Sequence, residues 1–165
     1  MSKEPPDIES GAIDSLAGHR EAAIALVMRA REEVRIFSND LDPRVLGTPE
    51  FAEACRAFLL SGPRARLRAL IRDGAAAVRY ALPLVQLIRQ MPSRAALRRL
   101  PENEPPSASS WLAADRGTLL YRDLGSRFDG VLYVDNPLYA RRHISTFDAL
   151  WEQSEADPEI RQMRL

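Results

Sequence analysis

The chain has 165 residues, of which 45% are hydrophobic and 28% charged, with 23 basic against 23 acidic side chains. This length suits one domain rather than two, and the apolar fraction excludes a chain that is disordered throughout. A single cysteine excludes an intrachain disulfide and favours a reducing compartment, which we take to be the cytoplasm. The longest uncharged stretch, residues 105–114, is too short for a membrane-spanning helix, which needs about 20 apolar residues.

The first third of the chain predicts an arm, a helix and a strand. Residues 1–13 show no periodicity and predict a flexible arm. A helix is expected from a cap at Asp14 or Ser15 to about Arg31, because apolar residues recur there at intervals of three and four. Residues 34–37 predict a short strand, since two of the four are β-branched and turn-forming residues follow.

The middle third carries the clearest helix signal. Thr48 is a typical N-cap, Pro49 suits the first helical position, and Gly62 suits the end of the helix. The apolar stripe of this helix consists of Phe51, Ala54, Cys55, Phe58 and Leu59. Residues 64–72 then alternate between arginine and apolar side chains, which predicts a strand.

The last part of the chain predicts more strands and a long final helix. A helix over residues 82–91, a strand over residues 95–100 and a polar loop over residues 101–109 come first. Three strands follow over residues 111–114, 118–122 and 128–134, the first two joined by a tight turn. The final helix begins at the cap Asn136, and its apolar stripe comprises Ala140, Ile144, Phe147 and Trp151.

Alternating helices and strands, followed by a hairpin, predict an α/β fold with a mixed β-sheet flanked by helices on both faces. We expect a single domain over residues 14–155 and a short tail over residues 156–165. Asp157 and Pro158 are expected to begin a short helical turn in that tail.

This order of elements resembles one half of the phospholipase D-like fold, over roughly residues 16–154. The tail FDGVLYVDNPLYARRHISTFDALW is similar to the strand and helix that close such domains. The chain also resembles a set of functionally uncharacterised bacterial proteins that carry SNDLDP after the first strand and end in FDALWEQSEADPEIR. The resemblance implies a homodimer, because single-half members of the superfamily build one site from two copies.

Active members of that superfamily use the motif His-x-Lys-x4-Asp, in which the histidine attacks phosphorus and the lysine holds the phosphoryl oxygens. If Asp115 is the aspartate of the motif, Ala108 takes the histidine position and Ser110 the lysine position. No His-x-Lys pair occurs in the chain, whose only lysine is Lys3. We therefore expect no catalytic residues of this kind.

The zero net charge hides an asymmetry along the chain. Residues 56–100 contain ten arginines and one acid, Asp73, while the remainder holds 13 bases and 22 acids. An arginine-rich face would bind phosphate or nucleic acid, but a biased composition with acidic segments folded over it explains the same numbers.

Side chains of both charges follow the predicted parallel strands. Asp40 and Asp42 come after the first strand and Asp73 after the second, while Arg72 and Arg98 lie where the second and third strands end. Because the carboxyl ends of parallel strands line the ligand crevice of an open α/β sheet, these five are the candidate ligand-binding residues. The acids could also hold a divalent metal, or they could serve as turn residues and caps that pair with the arginines.

No cofactor or zinc site is expected. His19, His143 and Cys55 lie far apart in the chain, whereas the ligands of a zinc site usually occur in close pairs. We predict a catalytically inactive phospholipase D-like domain with a binding or regulatory role. Three alternatives stay open: a nucleic-acid binder using residues 56–100, an enzyme with an acidic metal-assisted site, and a partner domain for another protein.

Overall fold

A mixed β-sheet forms the centre of the computed structural model, which describes residues 7–158. Within those residues the sheet has eight strands in the order β1-β7-β6-β5-β2-β3-β4-β8. Strands β2, β3 and β4 are parallel, and every other neighbouring pair is antiparallel. The strands are β1 (Gly11–Ile13), β2 (Glu33–Phe37), β3 (Arg66–Ile71), β4 (Ala95–Arg99), β5 (Ser110–Ala114), β6 (Thr118–Arg122), β7 (Gly130–Tyr133) and β8 (Glu155–Ala156).

Helices cover both faces of this sheet, as predicted. They are α1 (Leu16–Arg29), α2 (Pro43–Leu46), α3 (Pro49–Leu60), α4 (Gly74–Tyr80), α5 (Leu82–Gln90) and α6 (Pro137–Gln153). The predicted caps are confirmed at Ser15, Thr48 and Asn136, whose side-chain oxygens accept a backbone N–H in the first turns of α1, α3 and α6.

Two hydrophobic clusters lie on opposite faces of the sheet. The larger cluster joins α1, α3 and α5 to one face of the sheet and contains Leu26, Phe51 and Ile36. The smaller one joins α6 to the other face and includes Phe37 and Trp151. Because side chains alternate along a strand, the neighbours Ile36 and Phe37 enter different clusters. Each face of the sheet is therefore buried against helices.

The arginine-bearing face of β3 lies under α6. The Arg68 guanidinium donates to Asp148 at 2.9 Å and lies 5.4 Å from the centre of the Phe147 ring. Arg35 on β2 reaches the same carboxylate at 3.0 Å. The expected strand is confirmed, but its charged side is used to anchor a helix rather than to meet solvent.

The sheet extends beyond the predicted domain at both ends. Gly11–Ile13 is a strand paired with β7, so the expected arm over residues 1–13 is structured in its last three residues. Glu155–Ala156 pairs with β4, so the sheet reaches into the tail expected over residues 156–165. Strands this short carry no periodicity that a sequence pattern could reveal. The helical turn expected to start at Asp157 falls mostly outside the described residues.

Two short helices, α2 and α4, are absent from the sequence prediction. Helix α4 begins at Gly74, where an added Cβ would overlap the Asp157 carboxylate unless that side chain moved. Asp73 caps this helix by accepting the Ala76 N–H at 3.0 Å. Asp157 is only 2% exposed, so the chain after β8 is fixed against the start of α4.

Candidate ligand-binding cleft

A cleft of about 560 Å³ lies beyond the carboxyl end of β2. We call it the β2 cleft, and its lining comprises Asp40, Asp42, Pro43, Arg44, Tyr80, Gly125, Ser126 and Phe128. The lining comes from the loop after β2, from the start of α2, from the end of α4 and from the segment between β6 and β7. It therefore joins residues more than 80 positions apart at the edge where ligands bind in open α/β sheets.

The loop between β2 and α2 is held in an unusual conformation. Leu41 and Asp42 have φ angles of 66° and 48°, a left-handed region that is uncommon for residues other than glycine. The Asp40 carboxylate accepts the Asp42 N–H at 3.0 Å, and the Leu41 side chain is fully buried. These contacts fix the direction of both aspartates at the cleft.

Asp42 forms a buried ion pair with Arg122 at the end of β6. The two side chains are 11% and 3% exposed, and Ser110 also donates to the Asp42 carboxylate at 3.4 Å. Arg122 donates further to the carbonyl oxygens of Gly125 and Arg127, both at 3.1 Å. Burial raises the pKa of Asp42, and the Arg122 guanidinium opposes that rise.

His19 lies behind this pair and was not recognised as a site residue from the sequence. Its ring is fully buried, and Nε2 lies 2.8 Å from the Phe128 carbonyl oxygen, to which the neutral ring donates. Burial lowers the pKa of His19, and the nearby Arg122 charge lowers it further. Gly130 packs closely against the His19 ring, since an added Cβ at this position would come within 2.6 Å of it.

His19 should make the protein less stable in mild acid. Because the folded-state pKa lies below 6.5, the unfolded chain binds more protons once the pH falls through that value, and unfolding is then favoured. Urea unfolding at pH 7.5 and pH 5.0 should show a larger acid loss for the native protein than for His19→Gln. Equal losses in the two proteins would contradict this assignment.

The other predicted site residues do not join the cleft. Arg72 donates to the backbone oxygens of Glu104 and Pro105 at 3.1 and 3.2 Å. Arg98 lies at the same sheet edge as Asp42, but it donates to the Trp151 carbonyl of α6 at 2.8 Å. The expected pairing of these arginines with the aspartates is wrong, because Asp42 pairs with Arg122 and Asp73 caps α4.

The three positions of the phospholipase D motif lie at opposite ends of strand β5, two at its start and one after its end. Ser110 contacts Asp42, and the Ala108 carbonyl accepts the Gly125 N–H at 2.7 Å, so both positions adjoin the β2 cleft. Asp115 lies at the far end of β5, where its carboxylate accepts the N–H groups of Glu32 and Glu33 at 2.9 and 3.0 Å. Asp115 therefore holds the start of β2 and also lies in the turn between β5 and β6.

The arginines of residues 56–100 are largely bound to the chain itself. Arg94 donates to the backbone oxygens of Leu59 and Gly62, and Arg66 donates to those of Pro63 and Ala65. Together with Arg68, Arg72 and Arg98, they support loops and helices on different sides of the sheet. This arrangement gives little support to one continuous anion-binding face.

The remaining titratable candidates lie away from the cleft. Cys55 is fully buried in the larger cluster. His143 is half-buried on α6, with its ring 4.8 Å from that of Tyr121. Among residues 7–158, no three histidine, cysteine or acidic side chains are close enough together to hold a metal ion. The structure therefore does not bring Asp40, Asp42 and Asp73 together as a metal site.

Solved structures of phospholipase D family members share this fold. The family member Nuc from Salmonella typhimurium matches with a TM-score of 0.64 and 12% identity, over 90% of this chain and 99% of that one. Phosphatidylserine synthase of Haemophilus influenzae matches with a TM-score of 0.62 and 11% identity, over 94% and 40% of the two chains. At such identities the likeness concerns the fold alone.

A DNA-binding protein has the same kind of fold. TrmBL2, an archaeal chromatin protein, matches with a TM-score of 0.62 and 12% identity, over 95% of this chain and 57% of that one. The chain thus spans little more than half the length of TrmBL2. No curated protein sequence matches the chain. In the described part of the chain, no helix combines the length and hydrophobicity needed to cross a membrane.

A family model also matches most of the chain. The model of a domain of unknown function, DUF7931, matches residues 15–163, which includes every element from α1 to β8. The chain belongs to the DUF7931 family, and its fold is phospholipase D-like.

Proposed function

We propose that the protein is a non-hydrolytic phospholipase D-like domain that binds a small ligand carrying both a phosphate and a cationic group in the β2 cleft. The observation that carries this proposal is that Arg44 and Asp40, two side chains of opposite charge, both line the cleft, beside Ala108 and Ser110 at the two positions of the catalytic pair. Two similar structures are named for phospholipase D and for phosphatidylserine synthesis, which supports a phosphate ester as ligand.

Two lining residues supply the contacts. The Arg44 guanidinium lies 4.7 Å from the centre of the Phe128 ring, which orients it while its donors remain available for a phosphate. Asp40 is half-buried and provides a carboxylate for an ammonium group. Asp42 is less suited to this role, because Arg122 already neutralises it.

The binding proposal can be tested with phosphoethanolamine, the probe that joins one phosphate to one ammonium group. In NMR titrations we expect saturable shifts at Arg44, Ser126 and Phe128, with weaker binding of inorganic phosphate or ethylamine alone. Arg44→Gln should weaken phosphoethanolamine binding about tenfold, because it removes a charge-assisted contact.

Arg64→Gln is the matched control, since Arg64 is exposed and forms only a long ion pair of 3.8 Å with Glu32. It should leave binding within about twofold of the native value. Phosphoethanolamine that causes no saturable shift at the cleft would refute the proposal, as would equal losses for the two arginine variants.

We expect no hydrolysis of phosphodiesters, because the phosphohistidine reaction requires a histidine that can reach the phosphorus atom. His19 is fully buried with Nε2 bound to Phe128, so it has no access to a phosphorus atom. Incubation with bis(4-nitrophenyl) phosphate should release no nitrophenol above the buffer rate and leave no phosphohistidine detectable by mass spectrometry. A phosphorylated His19 or His143 would overturn this part of the proposal.

A further inference from the structure

A second cavity, of about 450 Å³, lies between β1 and the outer side of α1. It is separate from the β2 cleft, since the two cavities share no lining residue. We call it the β1 groove. Its walls are residues 7–9, the segment from Ala12 to Ser15, the outer face of α1 and one side chain of β7.

The floor of the β1 groove is apolar. Ala22 of α1 and Leu132 of β7 are buried beneath it, and Ile8, Ile13 and Ala25 are partly exposed to it. Apolar side chains of this size gain free energy when a partner removes them from water. The floor thus offers small pockets for side chains rather than a polar binding surface.

The rim of the same groove is acidic. Asp7, Glu9, Asp14 and Glu21 all line it and are all exposed. None of the described residues that line the groove is basic. Four carboxylates around one cavity attract cationic groups and repel anionic ones.

A strand edge runs beside the groove. Strand β1 is the last strand at its side of the sheet, and within residues 7–158 it pairs with β7 alone. Its outer N–H and C=O groups are therefore available for pairing with another extended chain. This edge is flanked by the apolar floor and by the acidic rim, which restricts what can pair with it.

We propose that the β1 groove binds an extended basic segment of a partner protein, which adds a strand to β1. Arginine or lysine side chains of the segment contact the rim, and the apolar side chains between them enter the floor, as the period of two along a strand requires. Charge selects this occupant. A second copy docked by the same face would set four carboxylates against four, and nucleic acid would be repelled.

The proposal can be tested with a six-residue peptide, acetyl-Arg-Val-Arg-Ala-Arg-Val-amide, added to the full chain. NMR titration should show saturable shifts in β1 and α1, and the amides of Gly11–Ile13 should exchange with solvent more slowly when the peptide is bound. A peptide with glutamine in place of arginine should bind at least tenfold more weakly. Affinity should also fall as salt is raised.

Charge removal at the rim provides the decisive comparison. The double variant Glu9→Gln/Glu21→Gln should bind the arginine peptide about tenfold more weakly, because two of four attracting charges are lost. The matched control Glu53→Gln/Glu152→Gln removes two exposed acids from α3 and α6 and should change affinity by less than about twofold.

Three results would overturn the proposal. The first is binding that is equal for the two peptides, and the second is equal affinity of the rim and control variants. The third is slow exchange of the β1 amides in the free protein that is lost when residues 1–6 are deleted, since the chain itself would then occupy the groove. None of these results bears on the β2 cleft, whose test uses a different probe and different variants.

Discussion

Replacing Asp42 with asparagine should lower the free energy of unfolding by about 3–5 kcal/mol, as expected when one partner of a buried ion pair is removed. The Arg122 side chain is only 3% exposed, and arginine does not lose its proton, so the variant leaves a buried positive charge without its counter-ion. Burial already disfavours the charged form of Asp42, which offsets part of this loss. The uncompensated guanidinium is the larger effect, because its hydrogen bonds to the carbonyl oxygens of Gly125 and Arg127 do not neutralise its charge.

Matched variants separate this effect from a general cost of the substitution. Asp129→Asn breaks an ion pair of 3.9 Å whose side chains are 69% and 77% exposed, and it should change stability by no more than about 0.5 kcal/mol. Adding Arg122→Met to Asp42→Asn should recover part of the loss, because the unpaired charge is removed as well. The free energy of unfolding in urea is measured for the native protein, the two single variants and the double variant. A loss below about 1 kcal/mol for Asp42→Asn would mean that water reaches the pair.

Phe58→Ala should cost about 3–5 kcal/mol, because it deletes a large side chain from a close-packed core. Phe58 is 4% exposed and lies in the larger cluster, where α3 packs between α1 and α5. Leu60→Ala on the same helix is the control, since Leu60 is 63% exposed and should change stability by about 0.5 kcal/mol or less. Similar losses for the two variants in urea unfolding would contradict the packing described here.

Much of the fold can be predicted because its signals are local. Thr48 with Pro49, and Asn136 with Pro137, begin α3 and α6 as their sequence suggests, and the apolar stripes then determine which face is buried. Helix α4 was not predicted, because its alanine-rich sequence has no stripe, although its cap Asp73 is a local signal. Gly74 at its start lies against Asp157, far along the chain, and local patterns cannot report such distant contacts.

The candidate site is less predictable for the same reason. The sequence correctly directs attention to Asp40 and Asp42, because they follow a buried strand. It gives no sign that Arg122 reaches Asp42 from another strand, or that His19 packs behind them from α1. Arg72 and Arg98, which were expected to pair with these acids, instead donate to backbone carbonyl oxygens. The number of charged residues in a segment cannot distinguish this structural role from ligand binding.

The position of β2 in the sheet has a consequence for the order of folding. One edge of β2 pairs with β3, and its other edge pairs with β5. Ala114 of β5 lies opposite Val34 of β2, although 80 residues separate them in the chain. A nascent chain that ends after β4 therefore has a central strand with one side unpaired, and such edges invite association between chains. Closing so long a loop is slow, so the parallel strands depend on the later hairpin for protection as well as stability.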